Sequence, residues 1–214
     1  MLHLILKILF PSPCLSCGYL SEALCKWCVS YLDFNPHIRE INGLRVCSSS
    51  FFERGSILER LIYPFKYSHQ ANIFRIFVPE MERALRLLIE PSGVLFVPVP
   101  LYVKRERERG YNQAELLARS LSIRIGANYE MFLHRIRDTA SQVEIGNRTE
   151  RLKNLDGAFR LVGRADLSQR IVLVDDIVTT GSTLLECYKV LTEAGYKNVS
   201  ALTLADRPLD NDLG

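Results

Sequence analysis

No segment of this chain supplies the roughly 20 consecutive apolar residues that crossing a bilayer takes. Met1–Phe10 comes nearest, with Leu2, Leu4, Ile5, Leu6, Ile8, Leu9 and Phe10, but it is too short and holds His3 and Lys7. It also lacks the order of a secretory leader, which puts its positive charge ahead of the apolar run and small residues behind it. Here Lys7 lies inside the run, and Pro11, Ser12, Pro13 and Cys14 follow. The expectation is a short helix packed on the body of a cytoplasmic protein with reduced thiols, with contact at a membrane surface as the lesser reading. A strong charge is missing too: the formal net charge is +3, too small by itself to argue for nucleic acid. There is no internal repeat or low-complexity tract. Two common phosphate motifs, G-x-x-x-x-G-K-[ST] and G-x-G-x-x-G, are also absent.

What remains is the composition of a soluble globular protein, 48% hydrophobic and 24% charged over 214 residues. That length fits one medium domain, or one domain with a small appendage. Four of the six cysteines fall within Cys14–Cys28, and no other region is so biased. The chain therefore divides into a cysteine module, residues 1–35, and a larger domain, residues 36–214.

In the larger domain, Ile73, Phe74, Phe77, Met81, Ala84, Leu85 and Leu88 recur near helical spacing. They predict a helix over Ala71–Leu88, kinked or broken at Pro79. Val94–Val99 reads as a buried strand. Asn112 followed by Glu115 marks a helix start, with Ala114, Leu117, Ala118 and Leu121 as its apolar face. Ile171–Val174 is a short central strand. Leu184, Cys187, Tyr188, Leu191 and Ala194 form a helical stripe stopped by Gly195, and Val199–Leu204 is the next strand. Strand, helix, strand in this order is a βαβ unit and implies an α/β fold with a parallel sheet.

The most informative stretch is Val172-Leu-Val-Asp-Asp-Ile-Val-Thr-Thr-Gly-Ser-Thr183. The strand is expected to end just before Asp175, leaving Asp175 and Asp176 at the C-terminal edge of the sheet, where open α/β folds bind ligands. Ionised carboxylates only accept hydrogen bonds, so they suit vicinal hydroxyls. Thr179, Thr180, Ser182 and Thr183 add hydroxyls, and Gly181 lets the backbone turn closely around an anion. A helix starting near Ser182 offers free N–H groups and a positive dipole end. A ribose 5-phosphate satisfies both halves: its diol meets the aspartates and its phosphate sits in the Thr-Thr-Gly-Ser-Thr turn. A plain Ser-capped helix explains Ser182, but it does not explain two adjacent acids with four hydroxyls around one glycine.

Cys14-x-x-Cys17 and Cys25-x-x-Cys28 supply two thiol pairs. Two pairs in a reducing compartment favour a closed tetrahedral zinc site over a redox centre or disulfides. Cys47 and Cys187 lack partners in the sequence and read as core residues. Lys104–Arg109 alternates in sign, which usually marks a solvated face.

The strand–acid–acid–turn stretch resembles the signature of the type I phosphoribosyltransferases. That resemblance implies 5-phosphoribosyl 1-pyrophosphate (PRPP) as ligand. It places Asp175 and Asp176 on the ribose diol, residues 179–183 around the 5′-phosphate, and Mg²⁺ on the pyrophosphate and diol oxygens. With the cysteine knuckle, Val97-Pro-Val-Pro100, Arg109-Gly-Tyr-Asn-Gln113, Arg135, Arg137, Thr139, Gln142, Arg151, Asn154 and Gly157-Ala-Phe159 in order, the chain resembles the ComF/GntX family of competence-associated proteins.

The family resemblance implies a type I phosphoribosyltransferase-like fold with a zinc module and a role in natural transformation. Partners would be single-stranded DNA and the DNA-uptake machinery, such as a helicase-like motor. Arg109, Gln113 and Arg137 are candidates for the pyrophosphate or a second substrate, since the arginine fork matches phosphate. Arg135, Arg137, Arg148, Arg151, Lys153, Arg160 and Arg164 would track a nucleic-acid backbone, although few aromatics interleave with them. Two functions remain open. One is a transferase in which a nucleophile attacks C1 and pyrophosphate leaves. The other is a non-catalytic nucleotide- or DNA-binding adaptor. No acceptor pocket is legible.

Overall fold

The computed structural model describes residues 12–21, 24–67, 71–138, 155–163 and 165–207. The elements in chain order are β1 (Ser12–Pro13), β2 (Leu20–Ser21), α1 (Lys26–Ser30), β3 (His37–Ile41), β4 (Leu44–Phe51), α2 (Ile57–Tyr67) and, after a 3₁₀ turn at Ala71–Ile73, α3 (Phe74–Leu88). Then come β5 (Val94–Pro98), α4 (Val103–Arg109), α5 (Gln113–Ile125), β6 (Asn128–Tyr129), β7 (Leu133–Arg135), β8 (Phe159–Leu161), β9 (Arg170–Val178), α6 (Ser182–Glu193) and β10 (Val199–Asp206).

Six strands form one sheet in the order β3-β4-β10-β9-β5-β6. All neighbours are parallel except β3, which pairs antiparallel with β4 through a tight turn at Asn42 and Gly43. The central strands are apolar on both faces, as strands covered on both sides must be. On one face Phe96, Val172, Val174, Leu202 and Leu204 pack against α2, α3 and α5. On the other, Val46, Leu95, Val97, Ile171, Leu173 and Ala201 pack against α6 and the small β7–β8 hairpin. The mostly parallel α/β architecture matches the expectation, and Cys47 and Cys187 are fully buried in these cores.

Two local expectations need correction. The helix at Pro79 is not broken: α3 runs through it. Proline removes one backbone hydrogen bond, but Phe77, Val78, Met81, Ala84, Leu85 and Leu88 are all buried along the same helix, and that packing outweighs the loss. The strand over Ile171–Val174 does not stop before Asp175. It continues to Val178, because β10 stays in register alongside it as far as Asp206, with Thr203 opposite Asp175 and Ala205 opposite Ile177.

Lys104–Arg109 lies within α4, which buries no side chain and ends at Gly110 with φ +80°. Asn112 caps α5 as expected, accepting a hydrogen bond from the Ala114 N–H at 3.0 Å. Among the described residues no helix is long and apolar enough to cross a membrane, and Met1–Phe10 lies outside them.

Candidate ribose-phosphate and metal sites

The turn between β9 and α6 is built around Gly181. Its φ is +76°, which costs a residue with a Cβ roughly 1–2 kcal/mol. The space is also full: a Cβ there would lie 2.7 Å from Ile41 Cδ1 on β3. Gly181 therefore lets the turn settle against the edge hairpin. From the same hairpin, Arg39 Nη2 donates to the Thr179 carbonyl at 2.7 Å. Arg39 Nε also pairs with Asp206 Oδ2 at 2.8 Å, at the buried end of β10. His37 Nε2 lies 3.3 Å from the same oxygen. Asp206, to which the sequence assigned no role, is thus an anchor for the arginine that grips the turn.

A shallow, open concavity lies in this turn, lined by Asp175, Ile177, Val178, Thr179, Gly181, Ser182, Thr183 and Leu184. It sits at the C-terminal end of β9 and the N-terminus of α6, a helix of 12 residues. Of the expected hydroxyl residues, Thr179, Ser182 and Thr183 line it. Thr180 turns inward and shares a 2.7 Å hydrogen bond with the Ser182 hydroxyl.

The acid pair is divided. Successive strand residues face opposite sides of a sheet. Asp175 lines the concavity on the α6 side. Asp176 faces the α2 side, where its Oδ2 lies 2.9 Å from Lys66 Nζ. Its Oδ1 accepts the Ile177 N–H at 2.6 Å. Burial, together with the neighbouring Asp176 charge, pushes the Asp175 carboxyl up to about 7. The Asp176 N–H, Lys66 and Arg135 oppose that rise. Arg135 stands over the Phe159 ring at 5.5 Å. Its burial and the nearby Arg105 pull its pKa below the ordinary value.

The other predicted contacts lie apart from the concavity. Gln113 is buried and donates to the Phe65 carbonyl at 3.2 Å, where Tyr111 Oη also donates at 2.6 Å. Arg109 donates to Gln113 Oε1 at 3.1 Å and covers the Tyr67 ring at 5.0 Å. Both residues brace the end of α2, the segment that carries Lys66. Arg137 is exposed and donates to the Asp156 carbonyl at 2.8 Å, beside α6. Thr139, Gln142, Arg148, Arg151, Lys153, Asn154 and Arg164 lie outside the described residues. Sequence reasoning missed Lys66, Arg39 and Asp206. No local pattern marks them, because each acts through a partner far along the chain.

At the other end of the described chain, the Sγ atoms of Cys14, Cys17, Cys25 and Cys28 lie within 4.8 Å of one another. Zinc–sulfur bonds of about 2.3 Å in a tetrahedron place sulfurs roughly 3.8 Å apart. Cys17 and Cys25 Sγ are 3.8 Å apart. The Cys25 N–H points at Cys14 Sγ, and the Cys28 N–H at Cys25 Sγ, each at 3.4 Å. Such amide donors stabilise thiolate charge, so the four thiols can hold a metal ion, and their spacing fits zinc. Cys14, Leu24, Cys25 and Cys28 join the same apolar cluster as Leu58, Leu61 and Phe65 of α2.

The sheet, the β9–α6 turn and the acid pair define a phosphoribosyltransferase-type fold, and the sequence profile of the phosphoribosyl transferase domain matches residues 110–212. Competence protein F of Haemophilus influenzae is 35% identical over 158 residues, covering 69% of this chain and 67% of that protein. The DNA utilization protein YhgH of Escherichia coli strain K12 is 34% identical over 152 residues, covering 69% and 66%. Competence protein ComFC of Bacillus subtilis is 28% identical over 184 residues, covering 86% and 72%. The chain thus spans about two thirds of the length of the first two. A solved adenine phosphoribosyltransferase from Saccharomyces cerevisiae, covering 87% of this chain and 91% of that one, has TM-score 0.43 and 10% identity. The chain belongs to the ComF family, the family of competence protein F.

Proposed function

We propose that this protein binds a ribose 5-phosphate group, as the phosphoribosyl half of PRPP, in the β9–α6 concavity, and that it serves DNA uptake as its relatives' names suggest. One observation carries the ligand reading: Asp175 and the Thr179–Thr183 turn share one concavity at the sheet edge where α/β folds bind ligands. The phosphate would meet the backbone N–H groups and positive dipole end at the start of α6, and Asp175 would accept a ribose hydroxyl. Mg²⁺ would supply charge neutralisation for the pyrophosphate, with Asp175 the carboxylate on that side. Residues 36–214 would form the ribose-phosphate domain and residues 1–35 a zinc module packed on it. A cytoplasmic location belongs to this reading, since thiolates stay available for metal in a reducing compartment.

Calorimetric titration with PRPP and Mg²⁺ tests it. Saturable binding that weakens at least tenfold in Asp175→Asn is expected. Absence of binding by the folded, metal-loaded protein would sink it. Pyrophosphate release with a supplied acceptor separates a transferase from a sensor.

A second reading, single-stranded DNA binding, is favoured by exposed aromatics. Trp27 is 70% exposed with Tyr31 5.3 Å away, and Tyr63 is 66% exposed with Tyr67 5.0 Å away. Bases stack on such rings, and Arg109 over Tyr67 adds positive charge. This surface differs from the Arg135–Arg164 stretch that the sequence pointed to. Anisotropy of a labelled thymidine oligomer should show binding that weakens with salt and falls in Trp27→Ala/Tyr63→Ala. Unchanged affinity in that double variant would remove this surface from consideration.

A further inference from the structure

Helix α2 stands between the cysteine quartet and the sheet edge, and its own sequence makes it weak. It has 11 residues, and isolated helices shorter than about 12–15 residues are marginal in water. Pro64 lies inside it and offers no N–H to the Arg60 carbonyl. The helix must therefore be held by its neighbours. Leu58, Leu61 and Ile62 are buried in one cluster with Cys14, Leu24, Cys25 and Cys28. Arg60 Nη1 also donates to the Ser16 carbonyl, between the first two cysteines, at 3.2 Å. At the other end, Tyr111 Oη and Gln113 Nε2 donate to the Phe65 carbonyl, and Lys66 Nζ reaches Asp176 Oδ2 near the end of β9.

The cysteine module has little regular structure to keep its own shape. Strands β1 and β2 are two residues each, and α1 is five. Three of the four cysteines belong to the apolar cluster that includes α2. Small modules whose ligands are spaced in this way take their fold from the metal. Without it, Cys14, Cys25 and Cys28 would lose their fixed spacing. Helix α2 would then lose both an apolar wall and the carbonyl that Arg60 holds.

We propose that α2 couples the two sites: zinc at the cysteine quartet orders α2, and an ordered α2 keeps the Lys66 cation at the strand end where an anionic sugar phosphate binds. Leu58 and Arg60 are then positioning residues that act through the helix. Coupling between two binding sites is reciprocal, so ribose 5-phosphate must tighten zinc by the same factor by which zinc tightens ribose 5-phosphate. The ordering of α2 stands on the contacts above, and the effect on ligand affinity rests on the ribose-phosphate reading.

The test uses the full chain, zinc-loaded and zinc-stripped. Amide hydrogen exchange read by mass spectrometry should speed about tenfold or more over residues 57–67 when zinc is removed, and change less than about twofold over β9 and β10. Zinc affinity, from competition with a zinc-selective chromophoric chelator, should rise about fivefold with saturating ribose 5-phosphate and Mg²⁺. The double variant Leu58→Ala/Arg60→Met keeps every thiol and every residue of the concavity. It should still bind zinc, with the factor reduced to below about twofold. Unchanged exchange over residues 57–67 in the stripped protein would overturn the proposal. Equal loss of protection over β9 and β10 would overturn it too, since zinc would then hold the whole fold. The coupling also fails if ribose 5-phosphate binds yet leaves zinc affinity unchanged, or if the full factor persists in the folded double variant. A zinc-loaded wild type that does not bind ribose 5-phosphate sinks the ribose-phosphate reading instead, and the exchange measurement then decides the ordering of α2 by itself.

Discussion

Replacing Gly181 by alanine perturbs the concavity with one carbon atom, and its effect can be worked from the geometry. The backbone at φ +76° costs a residue with a Cβ about 1–2 kcal/mol. The new Cβ would lie 2.7 Å from Ile41 Cδ1, the far end of a side chain that can swing off its preferred rotamer for roughly 1 kcal/mol. Alanine restrains the unfolded chain and returns about 0.4–1 kcal/mol. The net loss is about 2 kcal/mol, which for an ordinary urea dependence of about 2 kcal/mol per molar lowers the unfolding midpoint by roughly 1 M. Adding Ile41→Val deletes the clashing Cδ1, so the larger steric part should be relieved in the double variant, leaving the 3.2 Å approach to Cγ2 and the dihedral part. Ribose 5-phosphate affinity should fall as well, because the turn must shift. A Gly181→Ala protein with an unfolding midpoint within 0.2 M of wild type would refute the argument that this turn is strained for any other residue.

Arg39→Met should weaken ribose 5-phosphate binding about fivefold without touching the ligand, since it frees the Thr179 carbonyl. A comparable loss in Asp206→Asn, read by calorimetry, would trace the effect to the same anchor. Asp175 is held near 7 against an ordinary 3.8 in the ligand-free protein. Between those values the folded state binds a proton that the unfolded state has released, so this group's contribution to stability declines as pH rises through that window and levels off above it. The melting temperature of Asp175→Asn should therefore gain on wild type from pH 5 to pH 7.5, and a constant difference would contradict the raised value. Zinc analysis should find one ion per chain, lost in Cys25→Ser/Cys28→Ser. Chelation should lower the melting temperature, because Cys14, Cys25 and Cys28 share the α2 core.

Much of the fold was legible because its signals are local. The Asn112 cap, the β-branched run at Ile171–Val174 and the helical stripe through Cys187 each declare themselves within a dozen residues. The cysteine quartet and the Asp175–Thr183 turn were legible for the same reason: the chemistry needs those residues at short spacing. The strand's continuation to Val178 was not, because it depends on β10 pairing alongside. Lys66 was missed because its meaning lies in a contact with Asp176 across 110 positions, and nothing in Pro64-Phe-Lys-Tyr67 announces it. Gln113 and Arg109 sit in a motif that suggests ligand contact. The structure turns both toward the end of α2, where backbone carbonyls that no pattern displays are waiting.

The strand order has a consequence for the chain as it is made. β4 lies between β3 and β10, and Val46 pairs with Ala201, 155 residues later. Ribosomes add about 5–20 residues per second, so β4 would wait roughly 8–30 seconds for its inner neighbour. Throughout that interval the β3–β4 hairpin presents β4, with Leu44, Val46 and Cys47 among its residues, as an open edge, which is where chains stick to one another. Slow codons before β10 should lengthen that exposure and raise the aggregated fraction of newly made protein.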